Sequence, residues 1–440
     1  MSVLIRNALV LTMNDRLDVV HGAVSVRDGR IAAVGAEPPE AHDTVIDAAG
    51  AILLPGFVQT HIHLCQTLFR GYADDLRLLD WLRMRIWPLE AAHTPGTLAA
   101  AARLACLELL TSGTTTILTM ETVHDTDAVF EAVAATGMRA TIGKAMMDAP
   151  LDGVPPRLVE PTHASFDESL ALRRQYHGGH NGRIRMAFAP RFALSCTREL
   201  LEAVAADSAR ERTIVHSHAS EQTDEVALVR AVTGQGNIEF FETIGLATPQ
   251  LSLAHCVWVD GADRARLAER GVKVTHCPGS NLKLGSGVAP VPEMLDDGIC
   301  VSLGSDGAAC NNHLDMFGEM RLAATLQAAR LRPGALPARR ALWMATRNGA
   351  RALGLEDQIG SIEAGKRADL ILVDAGAPHV QPGPDPFSVV VYAARPTDVR
   401  LTMIDGQVLV RDGAPVHMDP AGVAAAARDA AADVARRAGL

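Results

Sequence analysis

Histidines and acidic residues stand at the ends of several apolar runs in this 440-residue chain. The first of these runs closes on Thr60-His61-Ile62-His63. In an extended strand, side chains two residues apart point the same way, so the imidazoles of His61 and His63 can reach one ion. Such a pair is often structural, but this one closes an apolar run that follows Pro55-Gly56.

Three later runs end in the same residue types: Val215-His216-Ser217-His218-Ala219-Ser220-Glu221, Ala254-His255-Cys256 and Leu303-Gly304-Ser305-Asp306-Gly307. Each run alone has a structural interpretation, but four such ends in one chain are hard to obtain by chance. Three imidazoles and one carboxylate, with room for a water, fit a catalytic site for a single zinc ion. The ion would lower the pKa of its water from ~15.7 towards ~7. Within the fifth-strand run, either histidine could be the ligand.

The elements that must position these residues alternate along the middle of the chain. Eight short apolar runs predict strands at 52–60, 114–120, 139–143, 184–190, 213–218, 251–255, 272–276 and 299–305. Helix-like segments such as GTLAAAARLACLELLTSG separate them. Buried strands alternating with helices predict an α/β fold, a (β/α)8 TIM barrel, whose active site lies at the carboxyl ends of the strands.

Both ends of the chain have a different sequence pattern, in which short strands of alternating residues are separated by Asp-Gly or Ala-Gly turns. VLIRNALVLT and GAVSVRDGRIAAVG open the chain, and GSIEAGKRADLILVDA and VRLTMIDGQVLVRDG come late. We therefore predict one small β-sandwich domain built from residues 1–54 and 358–420, around a barrel at 55–357. Residues 421–440 predict a C-terminal surface helix, to which we assign no chemistry.

Composition excludes several classes of function. The formal net charge is −10 and no Lys/Arg cluster is present, which argues against a nucleic-acid partner. No stretch reaches the ~18–20 apolar residues of a membrane span, and the N-terminus lacks the pattern of a signal peptide. Seven cysteines without CxxC spacing predict no disulfide framework, so we expect a reduced, cytoplasmic protein.

Five motifs in the order PGFVQTHIH, HASE, LAHC, HCPGSNLKLGSG and SLGSDGAACNNHLDMFGEMR resemble the amidohydrolase superfamily. The resemblance runs from about Ile5 to about Asp374. Within the superfamily it is to the branch that contains methylthioadenosine/S-adenosylhomocysteine deaminases, 5′-deoxyadenosine deaminases, guanine deaminases and triazine hydrolases. It implies Zn²⁺ as cofactor, one ion per subunit with Fe²⁺ as the alternative, and four ligands: His61, His63, His218 and Asp306.

The resemblance also implies catalytic roles. Asp306 should accept the proton of the attacking water, and Glu221 should pass a proton to a ring nitrogen. His255 should steady the hydroxide and the tetrahedral adduct. General acids and bases of this kind contribute about 10²–10⁴-fold when they lie within hydrogen-bond reach. Because Glu221 follows His218 by three residues, His218 is the implied ligand and His216 its neighbour inside the strand.

Other branches of the superfamily bridge two metals with a carboxylated lysine at the end of the fourth strand. Here that strand ends in Ala189-Pro190-Arg191, and arginine cannot supply the bridge. Lys144, after the third strand, is interpreted as a surface or pocket cation. We therefore expect one metal.

The substrate is less well defined by the motifs. GYADDLRLLDWLRMRIWPLE resembles the adenosine-type deaminases, in which an acid after Trp-Pro binds the ribose hydroxyls, and Glu90 occupies that place. Trp87 is a second candidate contact. The alternative is that Glu90 is a surface residue of a helix near a packed Trp81–Trp87 pair.

A Pro-Arg-Phe run partly indicates a different substrate. Guanine deaminases have a similar run, in which the arginine and phenylalanine contact the purine, so Arg191 and Phe192 are candidate substrate-binding residues. The NNHLDMF segment at 311–317 and Glu90 favour an adenine nucleoside instead, of the 5′-deoxyadenosine, methylthioadenosine or S-adenosylhomocysteine type. Arg139 or Lys144 could bind a long carboxylate tail.

The predicted function is thus zinc-dependent hydrolytic deamination of an adenine nucleoside, to the inosine analogue and ammonia. The alternatives are deamination of guanine or another purine or pterin base, and triazine amino- or chlorohydrolysis. A non-catalytic scaffold is disfavoured because all the metal ligands are kept. We expect a small-molecule substrate and a homo-oligomer, with no nucleic-acid or membrane partner.

Overall fold

The computed structural model describes residues 2–440. Its seventeen strands are β1 (Ser2–Leu11), β2 (Val19–Arg27), β3 (Arg30–Gly35), β4 (Thr44–Asp47), β5 (Ile52–Pro55), β6 (Phe57–Ile62), β7 (Thr114–Met120), β8 (Arg139–Met146), β9 (Ile184–Pro190), β10 (Val215–Ala219), β11 (Leu251–His255), β12 (Lys273–His276), β13 (Val301–Leu303), β14 (Leu370–Val373), β15 (Val399–Ile404), β16 (Gln407–Arg411) and β17 (Ala414–Pro415).

The α-helices span Leu78–Trp81, Trp87–Ala91, Pro95–Thr111, Thr126–Thr136, Thr162–Tyr176, Gly179–Gly182, Arg198–Glu211, Thr223–Thr233, Asn237–Thr243, Gly261–Arg270, Pro278–Lys283, Val291–Asp296, Met316–Arg330, Ala338–Trp343, Gly349–Ala352, Pro386–Ser388 and Pro420–Ala438. Short 3-10 helices span Leu64–Phe69, Pro156–Leu158, Pro378–Val380 and Pro396–Asp398. Three π-helical turns span Leu82–Ile86, Met344–Asn348 and Val389–Ala393.

Strands β6 to β13 form a parallel eight-stranded sheet in sequential order. The sheet curls until its two edge strands meet: the Asp306 amide donates to the His61 carbonyl over 3.2 Å, and the Thr60 and Ser302 hydroxyls lie 2.7 Å apart. Because these contacts bring β13 against β6, the sheet is a nearly closed barrel. The predicted (β/α)8 barrel is confirmed.

The first predicted strand, 52–60, divides into two in the structure. Strand β5 pairs with β1 and β14 in the small sheet, and β6 opens the barrel. Gly56 lies at the division, where a Cβ atom would come within 2.1 Å of the Thr115 side chain. An uninterrupted apolar run conceals this change of sheet, because both strands are fully buried.

Strands from both ends of the chain form one mixed nine-stranded sheet, in the order β17-β16-β15-β14-β5-β1-β2-β3, with β4 paired to β1. The predicted small β-domain with contributions from both termini is therefore confirmed. A buried ion pair joins it to the barrel, in which Arg139 Nε donates to Asp369 Oδ2 over 2.7 Å. Arg139 begins β8, at the end of the barrel away from the candidate ligands. The expectation that it could bind a substrate carboxylate is wrong.

The last helix, Pro420–Ala438, buries one face. Ala427, Ala430 and Val434 lie in the same apolar cluster as Trp81 and Trp87. Across the part of the chain that the structure describes, no helix is both long enough and apolar enough to cross a membrane.

Candidate active site

The four predicted metal ligands meet at the carboxyl end of the barrel. His61 and His63 come from the end of β6, His218 from β10, and Asp306 from the loop after β13. Asp306 Oδ1 lies 3.3 Å from His61 Nε2 and 3.4 Å from His63 Nε2. His218 Nε2 lies 3.3 Å from His63 Nε2. The structure thus brings together all four residues.

Hydrogen bonds on the far side of each ring define which nitrogen faces the centre. His63 Nδ1 lies 2.7 Å from the Met120 carbonyl, and His218 Nδ1 lies 2.6 Å from the Arg191 carbonyl. A carbonyl only accepts, so each Nδ1 donates and each Nε2 keeps its lone pair. Two lone pairs therefore face each other across 3.3 Å, an arrangement that a cation between them would stabilise.

The donor set fits a metal ion in two further respects. His61 Nε2 is buried and, within residues 2–440, has no hydrogen-bond partner. Burial, with the neighbouring His61 as a further cause, lowers the pKa of His63 to about 4, which keeps it in the neutral form that binds metal. Three imidazoles with one carboxylate are typical ligands of zinc.

His216 lies behind His61 and points away from the centre. His216 Nε2 is 2.7 Å from His61 Nδ1, and His216 Nδ1 is 3.1 Å from the Ser252 carbonyl. The ring therefore donates to Ser252 and accepts from His61, which directs His61 Nε2 towards Asp306. Burial lowers the pKa of His216 well below its usual value, so the His216 ring is neutral and can accept from His61 while it donates to Ser252.

Asp306 is held by two short hydrogen bonds. The Ser280 hydroxyl donates to Oδ2 over 2.6 Å, and the Gly307 amide donates to Oδ1 over 2.7 Å. The backbone of Asp306 has φ +63°, a left-handed conformation that is uncommon outside glycine and asparagine and is often found at functional sites. Burial opposes ionisation, but the contacts with His61 and His255 hold the pKa of Asp306 well below its usual range.

Glu221 and His255 lie beside this centre. His255 Nε2 is 3.5 Å from Glu221 Oε2 and 3.9 Å from Asp306 Oδ2. The Asn281 amide group donates to His255 Nδ1 over 2.9 Å, so the ring proton lies on Nε2 and faces the two carboxyl groups. Burial lowers the pKa of His255 to about 3, while burial and the charge of Asp306 raise the pKa of Glu221 well above its usual value. The raised pKa favours the protonated form of Glu221, a carboxylic acid that can donate a proton.

A cavity opens onto these groups. Its polar lining includes His63, Gln66, Arg191, His218, Glu221, Glu225, His255 and Asp306, and its apolar wall comprises Leu78, Leu79, Trp81, Leu82, Phe192, Ala219 and Leu284. Trp81 therefore faces the cavity, whereas Trp87 is buried behind it and does not contribute to the lining. The predicted substrate contact of Trp87 stays a prediction.

In the sequence, Glu90 and Arg191 indicated different substrates. In the structure they form one buried ion pair. Arg191 Nη2 lies 3.2 Å from Glu90 Oε1, and the Gln66 amide group donates to the same oxygen over 3.0 Å. Arg191 and Gln66 line the cavity, while Glu90 lies behind them and is only 3% exposed. Glu90 is therefore not a surface residue, and the cavity-facing side of the pair is the guanidinium.

Lys144 lies inside β8, is buried and does not line the cavity, so it is not the surface or pocket cation that the sequence led us to expect. Its ammonium group contacts Glu160 directly and also donates to the Ala145 carbonyl over 3.3 Å. With its charge matched by Glu160, Lys144 offers no free cation to a substrate.

Several site residues were missed from the sequence. Ser280 and Asn281 lie in the HCPGSN segment and hold Asp306 and His255, and Gln66 holds Glu90. The signal available was the position of the first two directly after the seventh barrel strand, where polar residues meet the active site. Gln66 lies in a short 3-10 helix after His63 and carries no comparable signal.

Comparison with known proteins agrees with this geometry. A sequence model of the amidohydrolase family matches residues 52–409. The chain is 40% identical over 437 residues to a 5′-deoxyadenosine deaminase of Methanosarcina mazei, covering 99% of each protein. It is 42% identical over 415 residues to a 5-methylthioadenosine/S-adenosylhomocysteine deaminase of Syntrophobacter fumaroxidans, covering 93% of each.

A solved structure gives the same fold. The crystal structure of an adenosine deaminase from Xanthomonas campestris with bound zinc superposes with a TM-score of 0.92 at 35% identity, over 99% of this chain and 98% of that one. The chain belongs to the amidohydrolase family and is a hydrolytic enzyme that acts on carbon–nitrogen bonds. Family membership and the zinc-bound neighbour also support a metal cofactor.

Proposed function

We propose that this chain is a zinc-dependent hydrolytic deaminase of adenine nucleosides, with His61, His63, His218 and Asp306 as the ligands of one zinc ion. The observation that carries the proposal is the pair of opposed lone pairs on His63 and His218 beside the unpartnered, buried His61 Nε2. These atoms share the space next to Asp306 and leave the neighbouring Glu221 and His255 free for proton transfer.

In the proposed reaction each of the chain's own groups has one task. When bound, zinc would lower the pKa of a water molecule and so supply a nucleophile at neutral pH. Asp306 accepts the proton of the attacking water. Glu221, protonated in its buried position, donates to a purine ring nitrogen and makes the adjacent carbon electrophilic. The Nε2 proton of His255 stabilises the oxygen of the tetrahedral adduct. Asp306 then passes the proton it accepted to the amino group, which leaves as ammonia, and the hydroxyl of the adduct returns a proton to Glu221 as the carbonyl forms.

A single ion is the proposed stoichiometry. The residue that follows β9 is Arg191, whose charge is matched by Glu90. Lys144, which lies within the third barrel strand, β8, is bound to Glu160. Neither residue is positioned to form a carboxylated-lysine bridge to a second metal.

We further propose that the preferred nucleoside carries a small, apolar 5′ group, as in 5′-deoxyadenosine or methylthioadenosine. The wall formed by Leu78, Leu79, Trp81 and Leu82 is apolar, and burying a charged tail against it would cost several kcal/mol without a partner. The one cation in the lining, Arg191, is already bound to Glu90. A zwitterionic homocysteine tail would therefore be a poorer substituent.

The alternative of a free-base deaminase rests on Arg191 contacting a purine. Its guanidinium is held by Glu90, and the N–H groups that face the cavity could donate to the oxygens of a ribose as well as to those of a base. Triazine hydrolysis uses the same metal site but no ribose. Both alternatives predict that Glu90 contributes no more to the turnover of a nucleoside than to the turnover of a free ring.

The deciding experiment measures ammonia release from adenosine, 5′-deoxyadenosine, methylthioadenosine, S-adenosylhomocysteine, guanine and an aminotriazine, together with metal content by mass spectrometry. We expect one zinc per chain and the highest kcat/KM for the two nucleosides with apolar 5′ groups. We also expect Glu90→Ala to reduce turnover of nucleosides far more than that of free bases. Highest activity on guanine or on the triazine would contradict the proposal.

A further inference from the structure

A second concavity, with a volume of about 560 Å³, lies on the opposite face of the barrel from the candidate active site. It opens where β9 to β13 begin. Arg185 is the second residue of β9, Lys273 is the first of β12, and Cys300 directly precedes β13. No residue of this amino-end cleft takes part in the proposed reaction, so the cleft requires a separate explanation.

The amino-end cleft is lined by four permanent cations: Arg185, Arg212, Lys273 and Arg351. Within residues 2–440 none of the four forms an ion pair with a carboxylate. The lining contains two acids, and one of them, Glu211, is bound by Arg210 at 2.9 Å. The cleft is therefore a positive region on a chain whose formal net charge is −10.

The cations also oppose one another. Burial, and in addition the charges of Arg351 and Arg212, lower the pKa of Lys273, although the nearby Glu356 acts in the opposite direction. Burial and the charge of Arg139 lower the pKa of Arg185 in the same direction. Like charges gathered in a concave, partly buried region destabilise one another unless an anion binds between them.

Cations at the amino ends of barrel strands can instead serve the carbonyl groups that end the preceding helices. Arg185 does so in part, because its Nη1 donates to the Leu353 carbonyl over 2.8 Å. A guanidinium has five N–H donors, so most of those of Arg185 remain available. Arg212 caps the helix Arg198–Glu211 and Arg351 lies in the last turn of Gly349–Ala352, where the helix dipole favours a cation. In the part of the chain that the structure describes, however, the side chains of Arg212, Lys273 and Arg351 make no hydrogen bond, so their N–H donors remain available.

We propose that the amino-end cleft binds a small anion with more than one phosphate group. Guanidinium groups match phosphate oxygens two at a time, and Lys273 adds a point charge at the half-buried floor of the cleft. The concave shape suits a small molecule, and the negative charge of the whole chain disfavours nucleic acid as the ligand.

Two probes test the proposal by calorimetry on the full-length, metal-loaded protein at low ionic strength. Fructose 1,6-bisphosphate carries two phosphates and no purine, and ADP adds a nucleoside. Replacing Lys273 and Arg351 with glutamine should weaken binding of the bisphosphate about 10- to 100-fold, because two charged hydrogen-bonding groups are lost. Arg428→Gln, an exposed position of the last helix, is the matched control and should leave binding unchanged.

Lysine acetylation followed by mass spectrometry provides a readout that needs no variant. Bound bisphosphate should slow acetylation of Lys273, while Lys283 and Lys366, which form ion pairs elsewhere, serve as internal controls. If both probes bind equally well, the phosphate groups are what the cleft recognises. If ADP binds more tightly than the bisphosphate, and the glutamine variant loses that binding too, the ligand is a nucleotide. The proposal is overturned if the wild-type protein binds neither probe, or if Lys273 is acetylated at the same rate with and without them.

Discussion

The two halves of the catalytic cavity are built in different ways. In the metal half, His63 and His218 each donate their outer ring nitrogen to a backbone carbonyl of a neighbouring strand or strand end. In the substrate half, Trp81 and its apolar neighbours lie on a helical segment interrupted by the π-helical turn Leu82–Ile86. Ion pairs attach this segment to the opposite rim, for example Arg77 with Asp224 at 2.9 Å. Hydrogen bonds to the backbone of the barrel thus hold the metal half, whereas apolar packing around Trp81 holds the substrate half, to which the surface ion pairs each add little.

The largest effect should come from removing the proton donor in the metal half. Glu221→Gln keeps the shape of the side chain but cannot donate a carboxylic proton, so kcat for ammonia release should fall by about 10²–10⁴-fold. The zinc content should stay at the wild-type level, because Glu221 is not among the proposed ligands. In the wild-type enzyme the protonated form is lost as the pH rises through the raised pKa of Glu221, so kcat should fall on the alkaline side.

Glu319→Gln is a suitable control, since Glu319 is equally buried and burial raises its pKa to about 8, yet it does not line the cavity. It should retain much more activity than Glu221→Gln. Near-normal turnover of Glu221→Gln, measured with metal content unchanged, would remove Glu221 from the mechanism.

The next largest effect should come from the ion pair in the substrate half. Glu90→Gln leaves the Arg191 guanidinium buried without its counter-charge, and breaking such a pair costs about 3–5 kcal/mol. Arg191→Met leaves the Glu90 carboxylate buried without its cation. Denaturant unfolding of the two single variants and the double variant gives the coupling energy, and the double variant should be more stable than the sum of the single losses predicts. Strictly additive losses would show that the two residues act separately.

The metal half and the substrate half of the cavity also differ in how far the sequence predicts them. His61 and His63 are two residues apart in a strand, so their shared direction follows from strand geometry alone, and the motifs located His218 and Asp306 on later strands. The Glu90–Arg191 pair joins residues 101 positions apart on a helix and a strand end, and no local pattern reports that distance.

The tryptophan that faces the cavity was also not predictable. Trp81 and Trp87 are six residues apart, which places them about 120° apart around a regular α-helix. The π-helical turn between them changes that angle, and no residue pattern in Leu82–Ile86 marks such a turn. The choice of Trp87 as a substrate contact could therefore not be made from spacing.

A smaller effect is expected from the residue that orients a ligand in the metal half. His216 accepts the Nδ1 proton of His61, and residues in this position change metal affinity by about 10–100-fold when replaced. His216→Phe should weaken zinc binding by that factor in a competition with a chelator. His216→Gln can still accept the proton through its amide oxygen and should restore most of the affinity. If both variants bind zinc as tightly as the wild-type protein, His216 only fills space in the barrel.

The smallest effect tests whether the two halves are independent. Val434 in the last helix is fully buried in the same apolar cluster as Trp81 and Trp87. Val434→Ala removes two methyl groups and should lower the free energy of unfolding by about 1–2 kcal/mol. Because Val434 packs in the apolar cluster that contains Trp81 and Trp87, KM for the nucleoside should rise while zinc affinity stays constant. Ala426→Ser, on the exposed face of that helix, controls for the change of helix composition. A parallel loss of zinc affinity in Val434→Ala would mean that the metal half depends on the same packing, and that the two halves are one mechanical unit.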